Sequence, residues 1–185
     1  MNIITDKEGI FEVDKYDVIL LGTSVYDILS HGLQGKVAIR YPHVAEANHK
    51  QPYGDLRRLG TRLTVEKEGC PTVSLLYICG YPKKGVKTLD YDALDRCLNT
   101  AAMEFKNKRI ITTIMGAYSF DGEGDRERIL KMMEEAFKGM DVDVYDYPQT
   151  CVFNEYMTKA RELINMGVSN GKRRTEILKK LYLRN

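Results

Sequence analysis

The run Arg109-Ile110-Ile111-Thr112-Thr113-Ile114-Met115-Gly116-Ala117-Tyr118-Ser119-Phe120-Asp121-Gly122-Glu123-Gly124-Asp125 decides how this chain is read. Its first half is short, apolar and β-branched, the composition of a strand buried on both faces. Its second half is a glycine-bearing loop that opens directly into a segment with Ile129, Met132, Met133, Ala136 and Phe137 at helical spacing. Asp125 is the expected N-cap, Arg128 stands at the third helical position in place of a capping-box glutamate, and Gly139 ends the helix. Glycines let backbone amides approach a ligand closely, and a helix start offers N–H groups and the positive end of a dipole, so this loop suits a phosphate. The run is neither G-x-x-x-x-G-K-[ST], since no lysine follows Gly124, nor a clean G-x-G-x-x-G. The plainer alternative is an ordinary turn plus cap.

Upstream, Asp17-Val18-Ile19-Leu20-Leu21 reads as another buried strand, stopping at Gly22. Residues 25–48 contain a helix after Gly32, broken near Pro42. Residues 61–65 and 73–78 flank the turn-forming Glu68-Gly69-Cys70-Pro71 and predict an antiparallel hairpin. Residues 89–105 space Leu94, Leu98, Ala101 and Phe105 as an amphipathic helix. Val142-Asp143-Val144-Tyr145 alternates and closes the sheet, and beyond Pro148 the chain turns into a charged helical tail. Together these predict an α/β domain over 1–148, a mixed sheet with helices on both faces in three α/β/α layers, and a helical extension over 149–185 packed outside it. In such folds ligands bind beyond the carboxyl ends of the strands, here in the loops after Leu21, Ile78 and Met115.

With 185 residues, 43% of them hydrophobic, the chain is long enough for one good core and short for two. The balance of 28 basic against 26 acidic residues, formally +2, is too even to point to nucleic acid or a membrane, so any anion site must be local. Cys70, Cys79, Cys97 and Cys151 form no C-x-x-C pair and only three histidines are present, which argues against a zinc site or a disulfide framework; no metal or other cofactor is expected. Asp6, Glu8, Glu12 and Asp14 are unlike the basic flank of a signal peptide, and no stretch approaches a membrane span, so a cytoplasmic setting is expected.

Three groups of residues are candidates for chemistry. Gly22-Thr23-Ser24 and the segment His31-Gly32 offer small residues and hydroxyls to a ribose or phosphate, although His31 has no visible partner. Lys83 and Lys84, just past a strand end, are either a point charge for phosphate, an amine nucleophile toward a sugar, or simply solvated. Tyr118 and Phe120 either stack on a ligand ring or close the edge of the core.

Residues 109–147, with a strand ending Ile-Met-Gly-Ala, the loop Tyr-Ser-Phe-Asp-Gly-Glu-Gly-Asp, a helix and the strand Val-Asp-Val-Tyr, resemble the last third of macro domains. The upstream order fits as well, and residues 77–94, with lysines followed by Tyr91-Asp92-Ala93-Leu94, look most like the branch containing the terminal ADP-ribose protein glycohydrolase. The resemblance covers residues 1–148, by order of elements more than by identity. It implies binding of ADP-ribose or an ADP-ribosylated substrate, with Asp14 toward the adenine amino group and Gly116, Ala117, Tyr118, Ser119, Phe120, Gly122 and Gly124 in the glycine-rich phosphate loop, whose glycines shape the diphosphate site. It further implies Lys83 or Lys84 as the lysine that attacks the ribose and Asp121 as the aspartate that assists. The chain departs from the family where many members carry an asparagine after the central strand; here the site reads Leu21-Gly22-Thr23-Ser24. The first loop has Gly32 and Gly35 without a run of consecutive glycines.

Three readings follow: an ADP-ribose-processing hydrolase of glycohydrolase or phosphatase type; a module that binds ADP-ribose or another NAD-derived nucleotide without turnover; and a macro-like scaffold for protein or nucleic acid. The last would use the basic clusters Lys172-Arg173-Arg174 and Lys179-Lys180, but such clusters are usually solvated helix faces and nucleic acid is not the expected partner.

Overall fold

Six strands form one sheet in the order β1-β6-β5-β2-β4-β3, with every neighbouring pair parallel except the antiparallel β3–β4. In this computed structural model residues 1–4, 15–26, 29, 32–81, 86–117 and 122–146 are described. The strands are β1 (Asn2–Ile4), β2 (Val18–Ser24), β3 (Arg62–Val65), β4 (Thr72–Cys79), β5 (Ile110–Thr113) and β6 (Val142–Tyr145). The helices are α1 (Gly32–Arg40), α2 (Pro42–His49), α3 (Tyr91–Glu104) and α4 (Arg126–Ala136), with a single 3₁₀ turn at Leu56–Arg58. The expected extension over 149–185 lies outside the described residues.

The alternation of side chains along each strand sorts the core into two layers. Val18 and Leu20 of β2, Leu76 and Ile78 of β4, and Val142 and Val144 of β6 face Leu94, Leu98, Ile129 and Met133 of α3 and α4. Ile19 and Leu21, with Val73, Leu75 and Ile111, face Val37, Tyr41 and Val44 on the side of α1 and α2. The chain is therefore a three-layer α/β/α domain, as the order of elements predicts. Each fully buried Leu, Ile or Val in these layers contributes roughly 1.5–3 kcal/mol.

Local signals account for the helix boundaries. Pro42 starts α2 at a position where the missing N–H costs nothing, which splits α1 from α2 at the expected place. Asp90 caps α3 by accepting from the Ala93 N–H at 2.8 Å, and Asp125 caps α4 by accepting from the Arg128 N–H at 2.9 Å. Gly69 turns the β3–β4 hairpin and Gly139 follows α4, both with positive φ.

Two expectations are corrected. β2 does not stop at Gly22 but runs on to Ser24, paired with β4 throughout. A Cβ at Gly22 would lie 2.6 Å from Ile78 Cδ1 and 3.0 Å from Met115 Cβ, so this glycine permits close packing inside the strand instead of ending it. Likewise β6 does not close the sheet, because β1 lies outside it in parallel register. Three residues are too few to show a period in sequence; β1 is held by β6 and by Asp143, which is buried and accepts from Asn2 Nδ2 at 3.1 Å and Tyr16 Oη at 2.7 Å.

Candidate functional site

The parallel strands β2 and β4 end side by side at Ser24 and Cys79 while β5 ends earlier, at Thr113, and the chain leaves β2 toward one side of the sheet and returns through α3 to the other, the arrangement that opens a crevice at the carboxyl ends. Its walls are the segments following Ser24, Cys79 and Thr113.

The last two of these walls are joined to each other. The Gly122 carbonyl accepts from the Thr88 N–H at 2.8 Å and the Leu89 N–H at 3.2 Å, while the Gly124 N–H donates to the Gly116 carbonyl at 2.8 Å. Leu89 fills the space the glycines leave. A Cβ would lie 2.7 Å from its side chain at Gly116 and 2.3 Å at Gly124, and 2.8 Å from its amide nitrogen at Gly122. Gly116 at φ 79° and Gly122 at φ 117° also hold backbone that L side chains rarely adopt. These three glycines thus shape the loop around Leu89, and Ala117 closes its first turn by donating to the Ile114 carbonyl at 3.2 Å.

The start of α4 is occupied from within. The Asp125 carboxylate takes the Arg128 N–H, the Asp125 N–H donates to Tyr91 Oη at 2.7 Å, and the Arg128 guanidinium covers the Tyr91 ring at 3.8 Å. A carboxylate from the chain itself already complements the helix dipole there.

Gly22, Thr23 and Ser24 lie within β2, and all three are buried. Ser24 Oγ donates to the Gly80 carbonyl at 2.6 Å and accepts from the Tyr26 N–H at 3.1 Å, so its hydroxyl ties the ends of β2 and β4 together. Thr23 is 1% exposed and its Oγ1 has no hydrogen-bond partner. The Gly22 carbonyl accepts from Gln34 Nε2, which anchors α1, begun by Gly32, against the end of β2. Asp14, His31, Lys83, Lys84, Tyr118, Ser119, Phe120 and Asp121 lie outside the described residues.

The structure adds residues with no sequence signal. Tyr26, just after β2, meets Tyr53 and Tyr81 edge to face, with centroids 5.3 Å apart in both pairs. Gly54, at φ 68°, makes room for the Tyr26 ring. Beneath them Arg58, 8% exposed, stacks on Tyr77, whose Oη donates to Asn48 Oδ1 at 2.7 Å. None of these positions recurs with a period or lies in a motif; they meet because β2, β4 and the 3₁₀ turn converge. Among the described residues no group of three His, Cys, Asp or Glu side chains is placed to hold a metal.

A mostly parallel sheet between two helical layers, with glycine-shaped loops at the carboxyl ends of its strands, belongs to the class of three-layer α/β folds. Within that class the chain has the macrodomain fold. It superposes on the macrodomain of Mycobacterium tuberculosis DarG with a TM-score of 0.59 and 16% identity, over 79% of this chain and 97% of that one. It is similar to Thermosipho africanus DarTG in complex with ADP-ribose, with a TM-score of 0.61 and 12% identity over 80% of this chain and 42% of that one. It is also similar to a protein of unknown function from Bacteroides thetaiotaomicron, with a TM-score of 0.63 and 18% identity over 79% of this chain and 98% of that one. No family model matches the sequence, and no curated protein matches it.

Proposed function

We propose that this chain binds ADP-ribose, free or attached to a substrate, in the crevice beyond β2, β4 and β5, and hydrolyses an ADP-ribose derivative there. The observation that carries this reading is the junction of Thr88 and Leu89 with Gly122. It fastens the segment between β4 and α3 to the segment ahead of α4, in a fold that a solved neighbour shows in complex with ADP-ribose. In this reading Lys83 or Lys84 attacks the ribose anomeric carbon, the bond to the leaving group breaks, and Asp121 carries the proton to that group. Water then releases ADP-ribose from the enzyme. The amides between Gly116 and Gly122 receive the diphosphate.

A second reading, a module that binds ADP-ribose without turnover, is favoured by the end of β2. There the strand itself carries Thr23 and Ser24 and no asparagine: Thr23 is buried and the Ser24 hydroxyl is engaged by Gly80 and Tyr26.

Calorimetric titration with ADP-ribose, using AMP and NAD as comparators, tests the binding, and release of ADP-ribose from an ADP-ribosylated substrate tests the hydrolysis. Micromolar binding and a loss of turnover of about 10²-fold or more in Asp121→Ala are expected. Absence of heat at millimolar ADP-ribose sinks the binding reading, and binding without product leaves the module.

A further inference from the structure

Among the described residues Arg58 is the one Lys or Arg more than nine-tenths buried, and none of their carboxylates lies within ion-pair distance of it. Its Nη1 donates to the carbonyls of Pro52 at 2.8 Å and Val25 at 3.3 Å, and its Cζ lies 3.8 Å from the centroid of the Tyr77 ring. Its Nη2 is buried without any hydrogen-bond acceptor. The nearby Asp55 is engaged elsewhere: its carboxylate is forked onto Arg57 Nε and Nη2 at 2.7–3.1 Å, and that contact holds its pKa down to about 2. Arg58 acts on Asp55 only through its field, without a hydrogen bond, so Asp55, Arg57 and Arg58 together keep one net positive charge.

An arginine cannot shed its proton to escape burial, and an unpaired buried charge is costly, so a group of this kind calls for a counter-charge. The place of Arg58 says where that charge comes from. Val25 is the first residue after β2, and its carbonyl is bonded both to Arg58 and to the Gly54 N–H at 3.0 Å. The guanidinium thus stands against the start of the loop that runs from β2 to α1, on the crevice end of the sheet. A second buried polar atom without a partner, Thr23 Oγ1, belongs to the residue opposite Tyr77 in the β2–β4 register.

We propose that Arg58 is a positioning residue of the crevice: it fixes the start of the β2–α1 loop through the Val25 carbonyl and supplies a fixed positive charge that favours the ligand's diphosphate. The proposal rests on reading the crevice as an ADP-ribose site. A charge set in low dielectric before the ligand arrives needs no reorganisation and acts more strongly than one in water.

Calorimetric titrations of ADP-ribose, inorganic pyrophosphate and adenosine into wild type, Arg58→Gln and Arg58→Lys test it. The glutamine variant is expected to bind ADP-ribose and pyrophosphate about tenfold more weakly, with adenosine changed by less than about twofold, since only the anions sense the lost charge. The lysine variant, keeping the charge, is expected to stay within about threefold of wild type for both anions. Equal losses for adenosine and the anions, or no loss for either anion, overturn the proposal. Wild-type binding of pyrophosphate without ADP-ribose removes the ADP-ribose reading while the pyrophosphate titrations still judge Arg58; binding of neither removes both. If melting curves show Arg58→Gln unfolded, the lysine variant decides, and a loss of about tenfold or more with the charge retained rejects the electrostatic role.

Discussion

Gly22 sits in the middle of the sheet, where a single missing carbon lets Ile78 and Met115 close over β2. An alanine there would place Cβ 2.6 Å from Ile78 Cδ1 and force both neighbours to move. Gly22→Ala is expected to cost about 1–3 kcal/mol of stability, the usual penalty of overpacking, read as a lower urea midpoint. An unchanged midpoint means that Ile78 and Met115 yield to the added carbon without loss. In the sequence, Gly22 before Thr23 and Ser24 reads as a loop, because glycine and two small hydroxyl residues carry no inward or outward signal of their own. What sets Gly22 is the bulk of two residues far along the chain, and no local pattern encodes that.

At the scale of elements, the junction of the β5–α4 segment with the β4–α3 segment governs the site. Leu89 is its centre, enclosed by Gly116, Gly122 and Gly124, and Asp125 closes it by capping α4. Asp125→Ala removes the acceptor for the Arg128 N–H and is expected to cost about 1 kcal/mol, whereas Asp125→Asn keeps an equally good cap and stays near wild type. Urea unfolding of the two variants separates them; equal losses would mean that the carboxylate's charge matters and the cap does not. Asp125 as cap, the break at Pro42 and the β3–β4 hairpin are legible in the sequence because each is a local preference. The engagement of the glycine loop with Leu89 is not legible, since glycine spacing announces freedom of backbone and says nothing of what enters the space.

Across the whole molecule, two buried thiols report on the integrity of the fold. Cys97 is fully buried among the α3 and α4 side of the core, and burial pushes its pKa up to about 12. Cys79 is buried at the end of β4, while Cys70 in the hairpin is partly exposed. Since the thiolate is the reactive form, a maleimide or disulfide reagent at neutral pH is expected to label Cys70 readily and to reach Cys79 and Cys97 only at the rate of global unfolding. Rapid native-state labelling of Cys97 would show that α3 opens independently of the sheet.

Strand periods, helix faces and caps arise from residues within a turn or two of each other, which is why the α/β class, the layered sheet and the loops at its carboxyl ends follow from the chain read alone. The order β1-β6-β5-β2-β4-β3, the core role of Gly22 and the meeting of Arg58, Tyr77, Asn48 and Thr23 depend on contacts between segments distant in sequence. Such contacts exist only once the strands have paired, because it is close packing and the need to satisfy buried polar groups, acting in three dimensions, that select them.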